Sequence, residues 1–244
     1  MIESKSFSIG FAPVEAFKLE KSDNCTLLSK EQAGGVARNL DVDIWLPRAA
    51  EHYHISGDIR DYVIVPVPSI ITSIPNTNGD SASLAELTRF HPEFGQMAYK
   101  TWQGKPTFVE HANKDITKAA GVILDTYLRP LPGHTKYAKL VKLLAFDRTK
   151  DSFLANQILT GKVSTYSMGM WYSSYTCPIC GLRVGKGHSK PCSHTRPGRP
   201  TYQLPDGRLG YRICENLQGF ECSAVLDPAY VSAQSDIVWD LRKL

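Results

Sequence analysis

A serine, a histidine and an acid are the first residues in this 244-residue chain whose types could do covalent chemistry. The run Val163-Ser164-Thr165-Tyr166-Ser167-Met168-Gly169-Met170 has a strand-borne look and little room for a bulky neighbour beside Ser167, because glycine follows two residues on. A serine hydroxyl is a poor nucleophile at neutral pH until a base takes its proton, and a histidine oriented by a third group is the usual base. Ser164, Ser173 and Ser174 share the same predicted strand, and Ser164, three residues away, would face the opposite side. Among the histidines, His52, His54 and His91 sit in polar or helical context. His111 instead closes the short apolar run Thr107-Phe108-Val109, so its ring could reach out from a strand end. The acid that would orient it is Glu221, in Phe220-Glu221-Cys222-Ser223-Ala224-Val225, with Glu215 and Asp227 as alternatives.

A second set has metal-ligand spacing. Cys177-Pro178-Ile179-Cys180-Gly181 is a CxxC knuckle whose glycine lets backbone N–H groups approach thiolates. Cys192 and His194 follow closely, giving two cysteines and then a Cys-x-His pair, the donor set of a tetrahedral zinc site. His188 is an alternative fourth ligand. Four protein ligands would fill the coordination sphere, so the ion would be structural. A redox role for the CxxC is weaker, since no thioredoxin-like βαβ pattern surrounds it.

These residues need elements to hold them. Asp61 to Pro68 is rich in β-branched residues and predicts a strand, placed by its prolines at an edge or a bulge. Ser81 to Trp102 predicts helix interrupted near Pro92. Strands are predicted over Thr107–Glu110, Gly121–Leu128, Ala138–Phe146, Val163–Tyr175, Tyr211–Cys214 and Phe220–Leu226. A helix is predicted from Asp151 to Leu159, stopped by Gly161. The fold class expected is α+β, a β-barrel or bent-sheet core with surrounding helices and a zinc-knuckle insertion. Residues 1–54 read as an N-terminal extension, 55–244 as the main domain and 176–210 as the insertion.

Composition narrows the classes. No apolar run approaches the roughly 18 residues of a membrane span, and the N-terminus lacks a basic region followed by an apolar core. Both argue against membrane insertion and secretion, which in turn favours metal over disulfide for the clustered cysteines. The net charge of +4 is local. Arg183, Lys186, Lys190, Arg196 and Arg199 fall between Cys177 and Pro200 with no acid among them, and the rest of the chain carries 23 bases against 24 acids. A solvated basic loop, and not a nucleic-acid-binding domain, is the expectation.

Taken in order, the segments resemble the prohead (head maturation) proteases of tailed phages, whose fold is that of the herpesvirus assemblin proteases. In that family a histidine follows an apolar strand with Gly-Val some residues on, matched by His111 and Gly121-Val122. The nucleophile's Ser-aliphatic-Gly motif is matched by Ser167-Met168-Gly169-Met170. A late Glu-x-Ser-x-Val-x-x-Pro-Ala segment is matched by Glu221 to Ala229. Ile74-Pro75-Asn76-Thr77-Asn78-Gly79-Asp80 and Tyr99-Lys100-Thr101-Trp102-Gln103-Gly104-Lys105-Pro106 resemble the large-phage branch, some of whose members carry similar Cys-x-x-Cys…Cys-x-His inserts. The assemblins' arginine-bearing loop after the third triad strand has no counterpart, since the next arginine is Arg242.

The resemblance implies a serine endopeptidase with a Ser167–His111–Glu221 triad. Its substrates would be capsid and scaffold proteins inside the assembling prohead, in the host cytoplasm, with self-cleavage and a homodimer as further family traits. A catalytically inactive structural head or scaffold protein of the same fold is the alternative, and a zinc-ribbon nucleic-acid-binding protein a more distant one.

Overall fold

Residues 42–185, 187, 190–195, 201–235 and 237–243 are described by a computed structural model of the chain. The chain is mixed α+β, mostly strand with few helices. Most of the predicted N-terminal extension, residues 1–41, lies outside the described residues, as does His188. From Val42 the chain is helix α1 (Val42–Tyr53), followed by β1 (Tyr62–Ile71), β2 (Asp80–Ser81), α2 (Leu84–Leu87), β3 (Phe90–His91), β4 (Gln96–Met97) and a 3₁₀ turn at Ala98–Trp102. Then come β5 (Pro106–Val109), β6 (Gly121–Leu131), β7 (His134–Asp147) and α3 (Ser152–Leu159). The last third supplies β8 (Tyr166–Trp171), β9 (Ser174–Thr176), β10 (Arg183–Gly185), β11 (Tyr202–Gln203), β12 (Leu209–Gly210), β13 (Arg212–Glu215), β14 (Gln218–Ala224) and β15 (Trp239–Asp240).

Seven strands form the main sheet in the order β15-β1-β7-β6-β5-β14-β8. All neighbours are antiparallel except β5 and β14. The sheet is buried on both faces, which is why its central strands read as near-continuous apolar runs. Val63, Val65, Val67, Leu140, Leu144, Phe146, Tyr166 and Cys222 pack on one side, closed by Leu154, Ala155 and Ile158 of α3 and by Trp102. Tyr62, Ile64, Phe108, Val122, Leu143 and Ala145 pack on the other, under Trp45, Leu46, Ala49, Ala50 and Tyr53 of α1. β1 and β8, from the two ends of the sheet, approach each other around the first cluster, so the sheet curls into a half-barrel.

The prolines of β1 sit where they were expected. β15 pairs only with Val63 and Ile64, so Pro66 and Pro68 owe no amide to an outer neighbour. The register shifts between Pro68 and Ile70, and that bulge returns Ile70 to the side already occupied by Val67. β6 runs further than predicted, through Pro130 to Leu131. α3 is capped at its start by the Asp151 carboxylate, which accepts from the Leu154 N–H, and its chain leaves through Gly161 at φ +72°.

Two predicted elements differ. The helix over Ser81–Trp102 is one turn, α2, ending at the cap Thr88, then the hairpin β3–β4 with Pro92 in its turn, and the 3₁₀ turn at Ala98–Trp102. The long strand Val163–Tyr175 is divided: β8 ends the main sheet, while β9 belongs to a four-stranded sheet ordered β10-β9-β13-β2. Among the described residues no helix is long and apolar enough to cross a membrane.

Candidate functional site

β5 lies parallel to β14, with Phe108 opposite Ser223 and Val109 opposite Ala224. The pairing ends abruptly. Glu110 and His111 both take left-handed backbone angles, φ +48° and +54°, a conformation that side chains other than glycine rarely adopt. The Glu110 N–H still donates to the Ala224 carbonyl at 2.9 Å, and its carboxylate accepts from the Leu226 N–H at 2.8 Å. This double twist carries His111 off the end of the strand and over β14. There its Nδ1 lies 3.1 Å from Glu221 Oε1.

The two partners sit in unlike surroundings. Glu221 has no exposed surface, whereas the His111 side chain is 42% exposed. The Glu221 carboxylate beside it raises the His111 pKa, against the opposing pull of partial burial. With Nδ1 engaged, Nε2 is the ring's remaining proton site. The other oxygen of Glu221 accepts the Ser223 hydroxyl at 2.5 Å.

Ser167 stands on β8 directly opposite Ser223, and Gly169 stands opposite Glu221. A Cβ at Gly169 would overlap the Glu221 carboxylate and the Phe220 ring, so glycine here clears the space that the carboxylate occupies. Ser167 is 7% exposed and shares with His111 the wall of a cavity of about 250 Å³. Five consecutive residues of β8, Tyr166 to Met170, line it, with Asn76, Asn78 and Asp80 across from them. The Asp80 carboxylate accepts the Arg212 guanidinium at 2.7 Å and fixes that loop. Trp102 braces the strand from behind, its indole N–H donating to the Gly169 carbonyl at 3.0 Å.

The other candidates fall elsewhere. Ser174 donates to Glu215, which also accepts from Thr176 and pairs with Arg183, all within the smaller sheet. Ser173 accepts from Asn216. Ser164 precedes β8, where its carbonyl accepts from the Ser235 N–H. Asp227 is exposed. Of the three acids considered, Glu221 is the one whose carboxylate reaches His111.

Sequence reasoning missed two groups that bond to residues of the site. Ser223 was legible in principle, since it lies two residues from Glu221 on a strand and so shares its face. Lys142 is fully buried; its Nζ donates to Ser69 Oγ at 2.7 Å and Met168 Sδ at 3.0 Å and lies 4.4 Å from the centre of the Trp102 ring. Burial pushes its pKa down to about 8, the charges of Cys222 and Glu221 opposing. Ser69 and Met168 both line the cavity.

Cys177, Cys180, Cys192 and His194 form a separate cluster, with one donor atom from each all lying within 4.8 Å of one another. The knuckle is the turn of the β9–β10 hairpin, where Thr176 faces Arg183. The Gly181 N–H donates to the Cys177 carbonyl at 2.9 Å, and the Ile179 N–H to the Cys177 sulfur at 3.4 Å. Burial pushes the Cys177 thiol up to about 11. Burial acts the same way on Cys192, but hydrogen bonds from Thr195 and the His194 backbone carry that thiol down to about 6. All five described cysteines are free thiols, and the buried Nδ1 of His194 has no hydrogen-bond partner. Three soft donors and an imidazole gathered this closely are compatible with a metal site.

Compared with models of protein families, with curated proteins and with solved structures, the chain matches none.

Proposed function

We propose that this chain is a serine endopeptidase of the prohead-maturation type, with the herpesvirus-protease-like fold that the ordered motifs imply. The observation that carries the reading is the buried Glu221 carboxylate on His111 Nδ1, with Ser167 on the same cavity wall. His111 Nε2 takes the proton of Ser167 Oγ as the oxygen attacks the scissile carbonyl. The tetrahedral intermediate collapses when the imidazolium returns that proton to the leaving amine. Water then attacks the acyl carbon as His111 takes its proton, and the imidazolium returns that proton to Ser167 Oγ as the acyl C–O bond breaks and the acid leaves. Glu221 holds the ring in one tautomer and stabilises its charged form, in the direction of its raised pKa.

The substrate enters as an extended segment beside β8, the last strand of the main sheet, whose length borders the cavity. Scaffold and capsid proteins of an assembling phage head are the proposed substrates. Cys177, Cys180, Cys192 and His194 would hold one zinc ion, which would supply order to the insertion and take no part in hydrolysis.

Labelling with a fluorophosphonate tests the reading. Ser167 is expected to carry the phosphonyl group, and Ser167→Ala to carry none. Labelling elsewhere, or none in the folded wild type, would favour the inactive structural protein.

A further inference from the structure

Glu221 has two carboxylate oxygens, and only one faces His111. Oε1 lies 3.1 Å from His111 Nδ1, while Oε2 accepts the Ser223 hydroxyl at 2.5 Å. Both residues lie on β14 and have no exposed surface. A carboxylate at the surface could satisfy its second oxygen with bulk water. One buried this deeply needs a donor from the protein, because an unpaired charged oxygen in the interior is costly. Ser223 supplies that donor from the same face, two residues along the strand. It also stands opposite Ser167, so the strand pair that presents the nucleophile holds the hydroxyl as well.

Without this bond, Oε2 has no hydrogen-bond donor among the described residues, and the carboxylate keeps only the His111 hydrogen bond at Oε1. Gly169 offers no Cβ beside it. From these contacts we infer that Ser223 is a positioning residue: its hydroxyl, bonded to Oε2, fixes Oε1 on His111 Nδ1. The effect on hydrolysis rests on the triad reading above; the effect on the His111 ring does not.

Imidazole NMR of His111 across pH, in the full chain, provides the test. Wild type is compared with Ser223→Ala, Ser223→Cys and Glu221→Gln. Alanine removes the donor, and cysteine keeps the volume but donates weakly. A residue that only fills space would be rescued by cysteine. The His111 midpoint is expected to fall in both Ser223 variants, toward the Glu221→Gln value and by less. The kcat/KM for peptide hydrolysis should fall roughly ten- to a hundredfold, as when one hydrogen bond to a charged group is lost.

An unchanged midpoint in both variants, or a rise, overturns the inference. Should alanine prevent folding, the cysteine variant decides. If the midpoint falls while wild type hydrolyses nothing and takes no phosphonate, the positioning stands and the endopeptidase reading fails. If wild type hydrolyses peptide while the midpoint stays put, the reverse holds.

Discussion

Lys142 is a fully buried amine, and replacing it should strengthen the fold. Its Nζ has only neutral neighbours within bonding distance: a hydroxyl, a thioether and an indole face. Burial brings its pKa from 10.5 to about 8. That gap corresponds to ~3 kcal/mol of stability lost while the amine is charged. The sign follows from proton counting. Below pH 8 folded and unfolded chains both hold the proton, and the penalty is complete. Between about 8 and 10.5 the folded amine releases its proton first, so the unfolded chain binds more protons and stability rises with pH. Lys142→Met keeps the length of the side chain and removes the charge. Urea unfolding of wild type and variant at steps from pH 7 to pH 10.5 measures the difference, which cancels the ionisation of tyrosines common to both. The variant is expected to be more stable at pH 7 by about 1–3 kcal/mol, the lost bond to Ser69 and the cation–π contact offsetting part of the gain. The advantage should vanish by pH 10.5. A difference that stays flat across the range would refute the reasoning, since it would mean the ammonium keeps its ordinary pKa.

Three further outcomes concern the sites. Ser167→Ala should unfold at the wild-type urea midpoint and lose all peptide hydrolysis, measured on denatured substrate and as self-cleavage. Glu221→Gln should lower kcat by roughly 10⁴-fold and loss of His111 by roughly 10⁶-fold, because an amide can still orient the ring but cannot stabilise its charge; an unchanged kcat in Glu221→Gln would remove Glu221 from the triad. Elemental analysis should find about one zinc per chain, and chelation should loosen residues 177–200 to proteolysis before the main sheet unfolds.

How much of this was legible depended on whether the information was local. The long strands β1, β6 and β7 were, because Tyr62–Val67 and Gly121–Leu124 are apolar on both faces; β15, two residues long, is too short to carry a pattern. α1 was not. Its stripe of Trp45, Leu46, Ala49, Ala50 and Tyr53 has helical spacing, but Pro47 inside it reads as a break. The division between β8 and β9 was hidden for a different reason: Tyr172 and Ser173 have strand-compatible side chains, and only the partner strands change. Ser167, His111 and Glu221 came from motif order. Lys142 and Ser69 lie 73 residues apart and meet only once β1 and β7 pair, so no local pattern could join them.

The two clusters are joined through very short pieces of chain. Tyr172 and Ser173 connect β8, which carries Ser167, to β9 and the knuckle. Asn216 and Leu217 connect β13 to β14, which carries Glu221. Disorder in the knuckle could travel along either. The second connection, however, is pinned from outside the smaller sheet. The Leu217 N–H donates to Glu86 Oε1 at 2.8 Å, and Leu217 itself is fully buried. The Gly219 N–H donates to the Thr101 hydroxyl, whereas the Ser173 N–H of the first connection donates to the Glu215 carbonyl within the smaller sheet. β9 also pairs with β13 through three successive residues, so the smaller sheet has a ladder that needs no metal. Loss of a metal ion held there would therefore fray the β9–β10 hairpin outward from Thr176, and the Ser223–Glu221–His111 chain, anchored beyond Leu217, is expected to keep its geometry.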